Sequence, residues 1–86
     1  MHTVELLEQA LTAAERLGYR VRQEWLGGSS GGGCEFAGQK WLFLDVALNA
    51  VEQLEQVAQT LRSDPGVYLL DLSPELRRTL GVRRSA

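Results

Sequence analysis

The sequence predicts a small α+β domain of two layers, in the order α-β-β-β-α-β-α, with a mixed sheet covered on one face by helices. Three observations lead to this prediction. The chain opens with apolar residues at helical spacing, and residues 19–26 then alternate with a period of two. Residues 34–61 have the pattern of a tight hairpin, a buried central strand and a capped helix. At 86 residues, a single domain over 1–86 is expected.

The first helix is predicted to begin after Thr3, whose hydroxyl can cap the unpaired amides of the first turn. Its apolar stripe is Val4, Leu7, Ala10, Leu11, Ala14 and Leu17. Gly18 is a natural stop. From Tyr19 to Leu26, charged residues alternate with apolar or uncharged ones, which predicts a half-buried strand with its charged face in water.

A glycine-rich segment, residues 27–33, holds five of the nine glycines. This composition is typical of a flexible connector, or of a loop that covers a ligand. A phosphate-binding loop is the less favoured reading, because no Lys-Ser/Thr pair and no helix follow the glycines.

The predicted hairpin turns at Gly38-Gln39, with glycine where a type II′ turn requires it. That turn would pair Phe36 with Trp41 and place Cys34 opposite Phe43. The run Trp41–Leu44 is apolar on both faces, which predicts a central strand.

The second helix is predicted to begin at Asn49, which forms a capping box with Glu52, and to run to about Ser63. Its expected buried face is Val51, Leu54, Val57, Ala58 and Leu61. After Asp64-Pro65-Gly66, residues 67–70 are predicted to form a last strand parallel to the central one. Ser73 and Pro74 begin a short final helix that ends at Gly81, and the tail 82–86 is expected to be mobile.

Composition restricts the classes of function. The formal net charge of −2 gives no electrostatic case for nucleic acid or an anionic membrane. The chain has one cysteine and no long apolar run, so a cytoplasmic protein without disulfides is expected. The only histidine, His2, is close to the start, which disfavours most catalytic and metal sites, and we predict no cofactor.

Asp45 and Asp71 are the candidate ligand-binding residues, because each follows a predicted strand at the edge where open α/β sheets bind ligands. Two carboxylates at one edge could hold a divalent cation or share a proton. The favoured alternative is that each aspartate accepts hydrogen bonds from loop amides or helps a helix to start.

Cysteine and arginine are given structural interpretations. Cys34 has no histidine to pair with, so we expect a small core residue rather than a nucleophile. The arginines after Ser73, which are Arg77, Arg78, Arg83 and Arg84, are expected to be helix-end cations and a solvated tail.

The aromatic residues are numerous for so few layers, and a chain of this size leaves some of them exposed. Trp25, Trp41 and Tyr68 are therefore the candidate interaction surface, with core packing as an equally weighted alternative.

Residues 41–63 resemble the region before and within the active-site helix of ImmA/IrrE-type metallopeptidases. The residues that match the family's pattern are Asp45, Leu48, Asn49, Gln53, Val57, Ala58 and Leu61. However, Gln59, Thr60 and Ser63 stand where that family has its two zinc-binding histidines and its glutamate base. The resemblance therefore implies neither zinc nor proteolysis. The whole chain also resembles short bacterial proteins, which implies no function.

Together these observations favour a non-enzymatic module that binds a protein partner or itself. The alternative is a small-ligand or metal-binding domain, or a weak hydrolase, that uses Asp45 and Asp71 with the glycine-rich segment as a cover.

Overall fold

A computed structural model describes residues 3–28 and 31–81. The helices are α1 (Thr3–Arg16), α2 (Ala50–Arg62) and α3 (Pro74–Leu80). The strands are β1 (Tyr19–Glu24), β2 (Gly32–Phe36) and β3 (Gln39–Asp45), and a 3₁₀ helix spans Pro65–Leu69. The α+β class and the order through α2 are confirmed.

The three strands form one mixed sheet in the order β1-β3-β2. The last strand in the chain is thus the central one: β1 lies parallel to β3, and β2 lies antiparallel to it. The segment between β1 and β2 must therefore pass the carboxyl end of β3, where Asp45 stands.

The core lies between the sheet and the two longer helices. Leu42 and Leu44 of β3 are buried and face the helices, together with Tyr19 and Val21 of β1. The helices contribute chiefly Leu7, Ala10, Ala13, Ala14, Leu54, Val57, Ala58 and Leu61. The Cα trace is only 16 Å thick in its short dimension, as two layers require, and the predicted two-layer arrangement is confirmed.

Residues 67–70 do not form the predicted last strand. Residues 67–69 belong to the 3₁₀ helix, and Leu70 follows it. This helix starts here because the Asp64 carboxylate accepts a hydrogen bond from the Gly66 amide at 2.9 Å. Pro65 also has the φ of a first helical residue. Val67 is buried and Leu69 is exposed, so the run has one buried position rather than the two apolar faces of a central strand.

The hairpin turns one residue earlier than predicted. Its central residues are Ala37 and Gly38, both with positive φ (52° and 79°), as in a type I′ turn. Phe36 consequently pairs with Gln39, and Cys34 pairs with Trp41. This register differs from the predicted one by two residues, so each side chain keeps its predicted face while its partner changes.

The caps predicted for α2 and α3 are confirmed, whereas Thr3 is itself the first helical residue of α1 rather than the residue before it. Asn49 Oδ1 accepts from the Glu52 amide at 2.9 Å, and the Glu52 carboxylate accepts from the Asn49 amide at 3.1 Å. Ser73 caps α3, and Gly81 ends it in the left-handed conformation. Val51 is exposed, contrary to the prediction, because it stands in the first turn of α2 before the first buried residue, Leu54. The predictions for His2 and for residues 82–86 lie outside the described residues.

Candidate interaction surface

One face of the sheet is covered by no described helix. Directly opposed residues of neighbouring strands share a face, and Trp41 and Phe43 alternate with the buried Leu42 and Leu44. We call this surface the aromatic face. It consists of Arg20, Arg22 and Glu24 of β1, Trp41 and Phe43 of β3, and Cys34 and Phe36 of β2.

The rings on this face differ in exposure. Trp41 and Phe43 are half-buried and stack, with ring centroids 6.2 Å apart and an interplanar angle of 17°. The Arg20 guanidinium lies 5.9 Å from the Trp41 centroid, within range of a cation–π contact. Phe36 is 73% exposed, although it is a large apolar residue on a strand. The aromatic face thus has a shielded centre and an exposed ring at its β2 side.

The face has little net charge. Arg22 and Glu24 form an ion pair at 2.8 Å, and both side chains are substantially exposed. An exposed pair of this kind contributes about 1 kcal/mol or less. The remaining charged residue of β1 is Arg20.

The three predicted surface aromatics lie in three different parts of the fold. Trp25 follows β1 and is 76% exposed, and Tyr68, in the 3₁₀ helix, is 53% exposed. Only Trp41 belongs to the aromatic face. The prediction did not include Phe36 in this surface. Its exposure could have been inferred from the sequence, because Phe36 lies beside the turn on a short strand that begins with two glycines.

Cys34 is exposed, so the prediction of a core residue is wrong. Its side chain shares the aromatic face with Trp41 on an edge strand, and α2 packs against the opposite face of that strand. Alternation therefore placed Cys34 correctly beside an aromatic ring, but that face is not the buried one.

Asp45 is fully buried, and backbone amides satisfy both of its oxygens. Oδ1 accepts from Leu26 at 3.0 Å and from Ala47 at 2.9 Å, and Oδ2 accepts from Gly28 at 2.6 Å. Burial alone would raise the pKa of this carboxyl, but the three hydrogen bonds outweigh it and the pKa lies below its ordinary value. Asp45 thereby holds the segment after β1 against the end of β3.

Asp71 lies elsewhere, in the segment before α3. It lines a depression of about 490 Å³ against α1, together with Glu8 and Arg16, and Asp45 is not part of that depression. Among residues 3–28 and 31–81, no group of three or more His, Cys, Asp or Glu side chains is placed to hold a metal ion. The geometry therefore supports the favoured alternative for Asp45, in which its carboxylate accepts hydrogen bonds from loop amides.

A second depression, which we call the polar groove, lies between β2 and α2 and has a volume of about 720 Å³. Its walls are Gly31, Gly32, Gly33, Cys34 and Glu35 on one side and Gln56, Gln59, Thr60 and Ser63 on the other, with Tyr19, Lys40, Asp64 and Pro65 at one end. The groove thus contains Gln59, Thr60 and Ser63, the positions where the metallopeptidase resemblance would need two zinc-binding histidines and a glutamate base.

The glycines of β2 allow α2 to approach closely. A Cβ atom on Gly31 would stand 2.6 Å from Gln56 Nε2, and one on Gly33 would stand 2.7 Å from Thr60 Cγ2. Earlier in the segment, Gly27 and Gly28 have positive φ, which glycine adopts without strain. These glycines therefore have steric and conformational roles.

The end of the polar groove is an internally satisfied cluster. Lys40 Nζ donates to Asp64 Oδ2 at 2.8 Å and to the Leu17 carbonyl at 3.1 Å. The hydrogen bond to Asp64 raises the pKa of Lys40, and the same bond lowers the pKa of Asp64. Burial, and then the hydrogen bond that its hydroxyl makes with Asp64, raise the pKa of Tyr19. Lys40 stays charged and Tyr19 stays neutral near pH 7, which suits neither group to act as a base.

Searches of this chain against protein-family models, curated proteins and solved structures found no match. The resemblance of residues 41–63 to ImmA/IrrE-type metallopeptidases therefore stays a prediction. Within residues 3–28 and 31–81, each helix is too short or too polar to cross a bilayer.

Proposed function

We propose that this chain is a self-associating module that acts by binding rather than by catalysis, and that the β2 side of the aromatic face is its contact with a second copy. The observation that carries the proposal is Phe36, an aromatic ring 73% exposed on an edge strand, beside the half-buried stack of Trp41 and Phe43. An exposed aromatic patch on a small domain is typical of an interface.

The charges of this face favour a second copy as the occupant. It carries both signs, since Arg22 and Glu24 lie side by side and Arg20 contacts Trp41. Single-stranded nucleic acid is the competing occupant, because bases stack on exposed aromatic rings. The net charge of −2 and the neutralisation of Arg22 by Glu24 disfavour it.

The expected affinity is moderate. The exposed parts of two Phe36 rings amount to roughly 300 Å² of apolar surface, since an aromatic side chain buries about 150–250 Å². Their burial stabilises a dimer by roughly 8 kcal/mol at about 25 cal/mol per Å². Loss of translational and rotational freedom costs about 4–15 kcal/mol. Backbone and polar contacts must supply the rest, so we expect a dimer with a dissociation constant on the order of micromolar.

Sedimentation velocity over a wide range of protein concentration tests the proposal. The test variant is Phe36→Ser, and Leu69→Ser is the matched control, because Leu69 is 89% exposed on the 3₁₀ helix and not on the sheet. We expect a reversible dimer that Phe36→Ser weakens about tenfold or more, a loss of about 1.4 kcal/mol or more. Leu69→Ser should leave the dimer unchanged.

Two results would contradict the proposal. One is a monomer at every concentration, including a monomer whose tryptophan fluorescence is quenched by a single-stranded oligonucleotide. The other is a dimer that Phe36→Ser and Leu69→Ser weaken equally, which would place the contact off the aromatic face.

A further inference from the structure

The outer edge of β2 is unpaired among the described residues. β2 has one neighbour, β3, and Phe36 and Gln39 flank the two-residue turn as a hydrogen-bonded pair. Hydrogen-bonded and non-hydrogen-bonded pairs alternate along an antiparallel ladder. The backbone N–H and C=O groups of Gly33 and Glu35 therefore point away from β3. Neither residue makes a further backbone hydrogen bond to a described residue.

We infer that β2 of a second copy adds to this edge antiparallel, about a two-fold axis at Cys34, and so joins the two sheets into one of six strands. This inference rests on the proposed self-association and specifies its geometry. Gly33 lies opposite the partner subunit's Glu35, and Cys34 lies opposite the partner subunit's Cys34. Gly32 lies opposite the partner subunit's Phe36.

The sequence of β2 selects this register over its neighbours. A two-fold axis at Cys34 overlaps all five residues of the strand. An axis at Glu35 would place two carboxylates directly opposite each other, which is destabilising. An axis at Gly33 would carry Phe36 past Gly32 and beyond the end of the partner strand. Only the Cys34 register pairs every residue without opposing like charges.

On the aromatic face, this register gives the exposed Phe36 ring a place to pack. A Cβ atom on Gly32 would meet nothing within 4 Å, so the space above Gly32 is open. Gly32 lies directly opposite Phe43 in the sheet. The partner subunit's Phe36 therefore covers Gly32 and reaches Phe43, and an aromatic ring across from a glycine is a favourable cross-strand arrangement.

On the helix side, the same register completes the polar groove. The partner subunit's Glu35 stands next to Gly33, against the α2 wall formed by Gln56, Gln59 and Thr60. Gln56 Oε1 faces the Asp45 amide, whereas Gln56 Nε2 lies beside Gly31 and donates to no described residue. An amide N–H donor beside the incoming carboxylate suits a charge-assisted hydrogen bond. The groove is thus incomplete until the second copy contributes Glu35.

Oxidation of Cys34 to a disulfide tests directly whether the two-fold axis lies at this residue. Directly opposed residues of a non-hydrogen-bonded antiparallel pair have Cα atoms about 4.5 Å apart. A disulfide spans Cα atoms about 4.4–6.8 Å apart. When glutathione disulfide is added as the oxidant, the two Cys34 thiols would form one S–S bond. Their two electrons and two protons would reduce the glutathione disulfide to two glutathione molecules.

The control for this cross-link is Cys34→Ser/Leu69→Cys, which moves the single exposed thiol to the 3₁₀ helix. We expect the original chain to give a covalent dimer, seen by intact mass, at least tenfold faster than the control under the same conditions. Circular dichroism verifies that both proteins are folded.

A second variant tests the polar groove. Glu35→Ala should weaken the dimer about tenfold in sedimentation velocity, and Glu15→Ala on the exposed face of α1 should not. A reversible dimer in which Cys34 cross-links no faster than the control, or in which Glu35→Ala has no effect, would overturn this register and leave the proposed self-association standing. A monomer at every concentration would overturn both.

Discussion

Asp45 carries a negative charge in a fully buried position, and its amide partners explain why the charge is tolerated there. A buried carboxylate without donors takes up a proton instead. Here Leu26 and Gly28 in the segment after β1, together with Ala47 just after β3, supply three N–H groups. Asp45 therefore acts as the anchor for the segment that passes the end of the central strand.

Replacement of Asp45 should make stability at neutral pH lower and less dependent on pH. The folded pKa of Asp45 is lowered, so its contribution is present above the unfolded pKa of about 3.9 and is lost as pH falls through the folded pKa. We expect Asp45→Asn to lower Tm at pH 7 by about 5 °C or more. The difference between the two proteins should shrink below about pH 4.

Thermal unfolding followed by circular dichroism from pH 2 to pH 8, values that bracket a carboxyl pKa of about 4, measures this effect. Asp71→Asn is the control, because Asp71 is exposed. Equal Tm values for Asp45→Asn and the original chain at pH 7 would show that the three hydrogen bonds do not stabilise the fold.

At the scale of an element, the β2–β3 hairpin contains an unfavourable residue. Ala37 is the only residue other than glycine with positive φ among residues 3–28 and 31–81, and this conformation costs an alanine roughly 1 kcal/mol. Asparagine is preferred there in a type I′ turn. Ala37→Asn should therefore raise the free energy of unfolding by about 0.5–1 kcal/mol, as measured by urea denaturation.

The neighbouring turn position provides an opposite control for this prediction. Gly38 has a φ of 79° with nothing near its missing Cβ, so Gly38→Ala should destabilise the protein through backbone strain alone. A loss of stability in Ala37→Asn would mean that the loop does not adopt the type I′ conformation. Alanine is a weak turn signal, which is why the sequence favoured Gly38-Gln39 as the turn.

The contact between β2 and α2 depends on a missing side chain. A Cβ on Gly33 would stand 2.7 Å from Thr60 Cγ2, and a β-branched side chain in a helix has little freedom to move away. Gly33→Ala should therefore lower the free energy of unfolding by about 1–3 kcal/mol. Thr60→Ala in the same chain should restore part of this loss, because the nearest remaining Thr60 atom, Cβ, is 3.5 Å away.

A double-mutant cycle in urea isolates the Gly33–Thr60 contact from other effects of each substitution. The cycle should give a coupling energy of about 1 kcal/mol or more. Additive effects of the two substitutions would contradict the close approach of β2 to α2.

For the whole molecule, local patterns predicted the elements but not their neighbours. Periodicity and caps such as Asn49 and Ser73 are local, so the helices, the class and the covered face of β1 were predictable. The covered face of β2 was not, since Cys34 was expected in the core and is exposed. Strand order, the hairpin register and the 3₁₀ helix at 65–69 depend on contacts between distant segments and on turn chemistry. The same division holds for the site: Trp41 was predicted as a surface residue, whereas the exposure of Phe36 depends on the strand order.

Self-association also predicts that stability depends on concentration. A dimer that forms only from folded chains stabilises them by mass action, so Tm should rise by several degrees over a hundredfold increase in protein concentration. Differential scanning calorimetry measures this shift. Phe36→Ser should reduce the shift and Leu69→Ser should preserve it, and a Tm that is constant in all three proteins would contradict a folded dimer.

The position of β3 in the middle of the sheet has a consequence for biosynthesis. The parallel partner of Tyr19 is Lys40, whereas Phe36 meets Gln39 across a two-residue turn. A ribosome releases β1 well before β3, its partner among the described strands, has been synthesised. The hairpin between β2 and β3 closes a much shorter loop. The nascent chain therefore carries β1 unpaired until β3 emerges, and β3 then enters the sheet already joined to β2.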